Sequence, residues 1–311
     1  MYDFRGPAEK RPLADNRIEA VMGTRKILLR GRKKKAEALI ETNRLEDARA
    51  LYIKICAADR RDAGAWGRLA RLNWRLGRLA EAESCCRKAI GLQHGHLDAH
   101  SVLGLVSMAS GKLTEAEQAF RSVLEIDDTR ADAYNNLGQA LGLQKRPHDA
   151  IETLKKALAL NPRAPEIHNN LGHTLRSAGL VVESEAAHRR AVELRPSSPA
   201  FYSNWLLSLN YLPDANPDRI FQYHVEWGRR FSGPIAKYAD YANSRDPERK
   251  LCVGYVSPDF RKHPVACFLE SILGNHDHAG IQVICYADIP EEDEVTKRLR
   301  GYGVPGGWSM E

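Results

Sequence analysis

The sequence predicts a mainly α-helical protein, an α-α superhelix of repeated helix pairs followed by a short α/β segment. Three observations predict it. A small residue recurs every 34 residues, apolar residues within each repeat follow helical spacing, and beyond residue 250 the pattern changes to short apolar runs typical of strands. The chain has 311 residues, which is enough for more than one domain.

The period is marked at the twentieth place of five gapless frames, which cover 29–62, 63–96, 97–130, 131–164 and 165–198. A small residue stands at this place in every frame. These residues are Ala48, Ala82, Ala116, Ala150 and Ser184. An internal period of this length indicates stacked units of secondary structure that share one continuous core.

The frame 131–164 shows the pattern most clearly. Leu137 and Leu141 lie on one face of a first helix, because residues four apart are neighbours on a helix. Gly138 and Ala150 are small, which predicts that the two helices of the repeat approach closely there. Pro162 cannot continue the second helix and therefore ends it.

These residues resemble the tetratricopeptide repeat family. The match covers 29–198 and extends through Tyr202, Asn204, Trp205 and Leu209 into one further first helix. The resemblance implies that the repeats bind proteins or extended peptides, with the first helices lining a concave groove. It brings no catalytic residue.

Asparagine recurs at the sixth place of consecutive first helices, as Asn136, Asn170 and Asn204. An amide side chain can pair with both the N–H and the C=O of an extended peptide backbone. We therefore expect these residues to line a peptide-binding groove; the alternative is that each only bonds a neighbouring side chain. Arg68 and Val102 replace asparagine in two earlier frames, so any such row is confined to the C-terminal half.

Charge and composition limit the classes of function. The net charge is 46 − 40 = +6, and residues 24–35 carry seven basic residues without an acid. This segment indicates a solvated arm or a patch for anionic partners, and without interleaved aromatic residues it does not favour nucleic acid. No stretch is apolar and long enough to predict a signal peptide or a membrane span. The six cysteines include no CxxC pair, which favours reduced, buried thiols and a cytoplasmic location.

Histidines cluster at two places, as His94, His96 and His100 and as His276 and His278. Neither cluster has the cysteines or carboxylates that would complete a metal site, so we expect solvated turn histidines and no metal or cofactor.

After residue 209 the 34-residue frame ends. Asn216 and Pro217 indicate the start of another helix. The run 251–257 is typical of a strand, 266–273 of a helix and 281–288 of a second strand. Strand, helix and strand in this order predict one βαβ unit of a parallel sheet.

The segment GYVSPDFRKHPVACFLESIL (254–273), followed by CYAD (285–288), resembles the opening of the catalytic region of the O-linked N-acetylglucosamine transferase and SPINDLY family, glycosyltransferase family 41. This resemblance implies a Rossmann-like GT-B fold, a UDP-sugar donor and serine or threonine hydroxyls as acceptors. His263 matches the histidine of the family's HP motif, which implies a catalytic or donor-positioning role. The alternative is that His263 only caps the following helix.

We thus expect a basic N-terminal arm (1–28), five repeats (29–198), a partial repeat with linker helices (199–249) and the start of a catalytic domain (250–311). The glycine-rich tail completes no strand, and a GT-B enzyme needs two Rossmann-like domains. We therefore expect a truncated or frame-shifted chain that has little transferase activity and a poorly packed, protease-sensitive end.

Two functions remain open: a protein O-glycosyltransferase or its N-terminal portion, and a non-catalytic scaffold of tetratricopeptide repeats. Homodimerisation through exposed helices of the array is also left open.

Overall fold

A computed structural model of the chain describes residues 13–232, 244, 246–277, 279–289, 291–302 and 308–310. The chain divides into two compact units, one up to residue 234 and one from residue 235. The helices of the first unit are α1 (Leu13–Glu41), α2 (Leu45–Ala58), α3 (Ala63–Arg75), α4 (Leu79–Leu92), α5 (Leu97–Ala109), α6 (Leu113–Ile126), α7 (Ala131–Leu143), α8 (Pro147–Leu160), α9 (Pro165–Ser177), α10 (Val181–Leu194), α11 (Pro199–Leu209) and α12 (Pro217–Phe231). The elements of the second unit are β1 (Leu251–Ser257), α13 (Pro264–Gly274), β2 (Ile281–Ala287), α14 (Glu294–Arg300) and β3 (Trp308–Met310).

The predicted 34-residue period is confirmed. The first helices of successive repeats, α3, α5, α7 and α9, begin 34 residues apart and each has 13 residues. The second helices, α4, α6, α8 and α10, follow the same spacing with 14 residues each. Helix α1 is longer and passes through the expected boundary between residues 28 and 29.

In three repeats, the two helices meet where a glycine of the first helix faces a larger side chain of the second. A Cβ atom added to Gly138 would lie 2.6 Å from Leu154 Cγ, and one added to Gly104 would lie 2.5 Å from the ring of Phe120. Such contacts are too short for any larger side chain, so these glycines permit the close packing. The predicted reason for the small residue at the eighth place is therefore confirmed.

The first helices form the inner layer of the array. Consecutive first helices contact one another, as α3 with α5 and α7 with α9, more closely than consecutive second helices do. The second helices therefore form the outer layer and diverge from one another. In the part of the chain that the structure describes, no helix is long and apolar enough to cross a bilayer.

Helix α12 begins as the sequence predicted. The side chain of Asn216 accepts a hydrogen bond from the backbone N–H of Arg219 (3.1 Å), and Pro217 occupies the first helical position. The helix packs on α11, where the rings of Trp205 and Tyr223 lie 4.8 Å apart.

The second unit contains a three-stranded parallel sheet in the order β1-β2-β3. The pairing of Val253 with Val283 sets the register of β1 against β2, and the predicted βαβ unit is confirmed. The expectation that the tail completes no strand is wrong, because Trp308–Met310 pairs with Cys285–Ala287. The free edge of β2 offers unpaired backbone groups, and a short strand can bond to them despite its glycine-rich surroundings.

On one face of this sheet, apolar side chains are packed into a hydrophobic core. Val283, Cys285 and Ala287 of β2 are buried against α13 and α14, together with Leu273 and Leu299. The expectation of a poorly packed end is therefore wrong for this face. On the opposite face Val256 is 75% exposed and Tyr286 is 43% exposed. The predicted protease sensitivity remains a prediction.

Candidate functional site

The asparagines predicted to line the groove form hydrogen bonds between neighbouring repeats. Asn170 Nδ2 donates to Asn135 Oδ1 at 2.8 Å, and Asn204 Nδ2 donates to Asn169 Oδ1 at 2.9 Å. Each pair is 35 residues apart, so the sixth place of one first helix bonds the fifth place of the preceding one. We call these four residues, together with Asn136, the asparagine row.

These bonds use only part of the row's hydrogen-bonding capacity. Each carboxamide has two N–H donors and one acceptor oxygen, and the bonds between repeats use one N–H of Asn170 and one of Asn204. Asn136 is the least constrained, because its Oδ1 has only a 3.5 Å contact with Asn135 Nδ2. The row is thus both held in place and able to form further bonds.

Sequence reasoning missed Asn135 and Asn169, which hold the other asparagines in place. The signal was present as a repeated Asn-Asn pair in the first helices of two consecutive frames. Asn169 is buried while the sixth-place residues are half-buried. The fifth place therefore orients the row, and the sixth place offers its remaining donors and acceptors.

A cavity of about 380 Å³ adjoins the row between α7 and α9. Asn170, Gln139, His173 and Thr174 contribute polar side chains to its lining. Thr174 Oγ1 donates to the backbone oxygen of Asn170 at 2.9 Å, which occupies its hydroxyl proton. The amide groups of Gln139 and Asn170 and the imidazole of His173 can form hydrogen bonds with a polar side chain in this cavity.

A buried histidine packs against His173, one of the residues that line this cavity. His188 of α10 packs edge to face with His173 of α9, with ring centroids 5.0 Å apart. Burial lowers the pKa of His188 to about 4, and the nearby His173 and Arg176 add to the effect. Burial and Arg176 also lower the pKa of His173. Both rings are therefore neutral at neutral pH.

The N-terminal half of the inner layer is different. Arg68 stands at the sixth place of α3 and its Nε lies 3.4 Å from Glu37 Oε1. Val102 stands at the same place of α5 and is buried. Neither residue continues the asparagine row.

His263 is the N-cap of α13. Its Nδ1 accepts a hydrogen bond from the backbone N–H of Val265 at 3.3 Å and lies 3.6 Å from Asp259 Oδ2. An accepting Nδ1 places the proton of the neutral ring on Nε2. The capping interaction considered from the sequence is thus present, and it leaves Nε2–H as a donor.

The loop that carries His263 is tied to the start of α14. Asp293 Oδ2 accepts from the backbone N–H of Lys262 at 2.6 Å, and the buried Thr296 Oγ1 donates to the backbone oxygen of Phe260 at 2.7 Å. Asp293 and Thr296 also form a capping box at the N-terminus of α14. Sequence reasoning missed both residues, although Asp-x-x-Thr before a helix is a recognisable capping pattern.

The other histidines bond local groups. His96 caps α5 by accepting from the backbone N–H of Ala99 at 3.2 Å, and His100 Nε2 lies 2.8 Å from the backbone oxygen of His94. His276 Nε2 lies 2.7 Å from the hydroxyl of Tyr255, while His278 is outside the described residues. Across the described ranges, no group of three or more histidine, cysteine or acidic side chains is arranged to hold a metal ion.

Family descriptions match both parts of the chain. Tetratricopeptide repeat descriptions match residues 33–96, 97–130, 131–163 and 148–179, and the description "Glycosyl transferase family 41" matches residues 234–300.

Curated relatives of this chain are named as peptide N-acetylglucosaminyltransferases. A Petunia hybrida protein named as a UDP-N-acetylglucosamine–peptide N-acetylglucosaminyltransferase SPINDLY is 40% identical over 97 residues, 31% of this chain and 10% of the relative. A Caenorhabditis elegans protein named as a UDP-N-acetylglucosamine–peptide N-acetylglucosaminyltransferase is 46% identical over 39 residues, 12% of this chain and 3% of the relative. The chain spans about a tenth of the length of the SPINDLY relatives in these matches.

Solved structures agree on the fold. A mutant of the Thermobaculum terrenum O-GlcNAc transferase has a TM-score of 0.54 and 31% identity, covering 67% of this chain and 40% of that protein. The Pseudomonas aeruginosa protein pilF has a TM-score of 0.57 and 17% identity, covering 68% of this chain and 95% of pilF. The second likeness shows the helical repeat fold alone.

Proposed function

The chain joins a tetratricopeptide repeat array to a segment of glycosyl transferase family 41, and on that basis we propose that it serves protein O-glycosylation. The repeats bind the acceptor protein, and the α/β unit takes part in binding the nucleotide-sugar donor. The observation that carries this proposal is the presence of both parts in one chain, supported by relatives named as N-acetylglucosaminyltransferases. The acceptor groups are serine or threonine hydroxyls, and the donor is a UDP-sugar.

The asparagine row supplies the acceptor contacts. The bonds from Asn170 to Asn135 and from Asn204 to Asn169 fix the carboxamides in position before an acceptor binds. Groups that are already ordered lose less conformational entropy on binding. Their remaining N–H and C=O groups pair with the backbone of an extended segment, which makes binding tolerant of the acceptor's sequence.

His263 positions the donor. Because Nδ1 caps α13, the outward group of the neutral ring is Nε2–H, which donates a hydrogen bond and cannot accept a proton. A donor at a helix N-terminus suits an anionic diphosphate, since the backbone N–H groups and the helix dipole also favour negative charge there. To act as a base through Nε2, the ring would first have to move its proton to Nδ1 and release Val265.

Peptide binding tests the first half of the proposal. We expect a fluorescein-labelled serine- and threonine-rich peptide to bind the purified chain, and a scrambled peptide of the same composition to bind equally. The double variant Asn170→Ala, Asn204→Ala should weaken binding roughly thirtyfold, because two lost hydrogen bonds of about 1 kcal/mol each cost about 2 kcal/mol. Asn161→Ala, an exposed asparagine after α8, is the matched control and should bind as the unchanged chain does.

Backbone methylation sharpens the same test. A peptide with N-methyl groups on alternate residues keeps its side chains and loses half of its backbone donors, so it should bind more weakly. Equal affinity for the methylated and unmethylated peptides would contradict recognition through the backbone. Unchanged peptide affinity in the double variant would contradict peptide binding by the asparagine row.

The proposed role of the α/β unit in donor binding is tested with radiolabelled UDP-N-acetylglucosamine and acceptor protein. Transfer, or UDP binding by calorimetry, that is lost in His263→Ala and retained in His276→Ala supports the donor role. Peptide binding without any UDP binding would instead favour the scaffold function.

A further inference from the structure

A cavity of about 710 Å³ opens on the outer layer of the array, between the second helices of the first two repeats, α2 and α4. Trp66 and Leu69 of α3 form its floor, and Ile53 of α2 and Leu92 of α4 form its walls. Ile53 and Leu92 are 42% and 43% exposed, although both are apolar. The cavity therefore presents apolar side chains to solvent from three helices.

The cavity arises from departures from the repeat pattern. At the place of Ile53, the twenty-fifth of its frame, the other four frames carry a basic residue: Arg87, Arg121, Lys155 and Arg189. The three arginines pair with a glutamate one turn earlier in their own helix. Ile53 forms no such ion pair, and a Cβ atom on Gly91 would meet nothing within 4 Å. The cavity is thus lined by an apolar side chain at a place where the other four repeats carry a basic one.

Positive charge lines the cavity without a matching acid. Arg60 and Lys88 are among the lining residues, and no acidic side chain is. Neither residue makes an ion pair with the described part of the chain. Lys88 Nζ lies 4.4 Å from the centre of the Trp66 ring, while Trp66 Nε1 donates to the backbone oxygen of Arg60 at 3.1 Å. These contacts hold the indole and the ammonium group next to each other in the lining of the cavity.

We propose that this cavity, which we call the outer pocket, docks an acidic segment of a partner protein by a single bulky apolar side chain. The apolar side chain enters over Trp66 and Leu69, and flanking carboxylates pair with Arg60 and Lys88. The charge complementarity identifies the partner's chemistry, because an apolar anchor alone would leave the two cations uncompensated. Tryptophan and arginine are also the residue types that most often dominate binding energy at interfaces.

The outer pocket is independent of the asparagine row. It lies between second helices of the first two repeats, whereas the row lies on first helices of later repeats. A partner can therefore occupy the outer pocket while an extended acceptor segment occupies the row. The proposal goes beyond the proposed function and does not require transfer activity.

Fluorescence anisotropy with short labelled peptides tests the outer pocket. The probe has a central Leu-Phe pair flanked by glutamates; one comparison peptide has lysine flanks and another has a Gly-Ser centre. We expect the glutamate-flanked Leu-Phe peptide to bind at least about tenfold more tightly than either comparison peptide. Its affinity should fall at high salt, because exposed charge pairs are screened.

The variant Ile53→Arg places at this position the residue type that the other repeats carry. We expect it to weaken binding about tenfold by filling the outer pocket, even though it adds a charge that attracts the acidic probe. Ile126→Arg is the matched control, since Ile126 is 44% exposed on the outer helix α6 and does not line the outer pocket. Lys88→Glu should weaken binding of the glutamate-flanked peptide and strengthen binding of the lysine-flanked one.

Equal affinity of Ile53→Arg and Ile126→Arg for the probe would overturn the proposal, as would equal binding of the lysine-flanked peptide. A chain that forms dimers in light scattering, and becomes monomeric only with Ile53→Arg, would also overturn it by assigning the surface to a second copy. Circular dichroism melts of all variants show whether a loss of binding reflects unfolding.

Discussion

The repeat array and the α/β unit bury their apolar residues in different ways. In three repeats of the array, a large side chain on the second helix packs against a glycine on the first helix, as Phe120 does against Gly104. In the α/β unit, β2 buries alternate residues on one face of a sheet, and Val256 and Tyr286 on the opposite face are exposed.

The two regions therefore differ in what they need to be stable. A repeat needs only residues within its own 34-residue frame and its neighbours, so the array is stable wherever the period is kept. A parallel sheet is stable when elements cover both of its faces. Among the described residues of the second unit, α13 and α14 cover one face.

Removing one aromatic ring from each region gives the largest contrast. Phe120→Ala in the array should lower the free energy of unfolding by about 3–5 kcal/mol, because the ring is fully buried and leaves a cavity. Phe268→Ala on α13 should change stability by less than about 0.5 kcal/mol, because that ring is 73% exposed. Urea unfolding followed by circular dichroism measures both variants. A similar loss for the two would mean that something covers Phe268 in solution.

An acid-sensitive site distinguishes the last complete repeat from the others. His188 stands at the twenty-fourth place, where the preceding repeats carry Phe120 and Leu154. Its pKa is about 4 in the folded chain and 6.5 ordinarily. The unfolded chain therefore binds the proton more readily, and stability is lost as the pH falls from the ordinary value towards the folded one. Between roughly pH 7.5 and pH 5 the loss should be about 2 kcal/mol.

The variant His188→Leu tests this site, because it restores the residue type of Leu154. We expect it to remove about that much of the acid sensitivity while keeping the helix pair packed against Gly172. Thermal or urea unfolding of His188→Leu and of His173→Leu across this pH range shows which ring causes the acid sensitivity. An unchanged pH dependence in His188→Leu would exclude His188 as the cause.

The array was predictable from the sequence because its rule is local. Ala150 and Gly138 stand where helices separated by a short turn must meet, and the period repeats this evidence five times. The positions of Asn136, Asn170 and Asn204 on successive first helices were predictable for the same reason. The bonds that Asn135 and Asn169 make were not, since they cross between repeats and depend on how adjacent first helices stack.

The second unit was less predictable because its decisive contacts join distant residues. The strand Trp308–Met310 is short, and it pairs with the edge of β2, a contact between residues more than 20 apart in sequence. The loop with His263 is positioned by Thr296, which is 36 residues from Phe260 in sequence. Spacing alone could not indicate this contact, and Asp293, which caps α14, was not identified from the sequence either.

The smallest effect concerns this loop and tests whether the α/β unit has a specific tertiary structure of its own. In Thr296→Val the side chain keeps its shape and loses the hydroxyl that donates to the backbone oxygen of Phe260. We expect about 1 kcal/mol of destabilisation, because a buried carbonyl loses its partner. Hydrogen exchange should report it as faster opening at 260–265, with unchanged protection in α7 and α8. Faster exchange throughout the array would contradict an effect confined to the loop, and no change at the loop would show that Thr296 does not hold it.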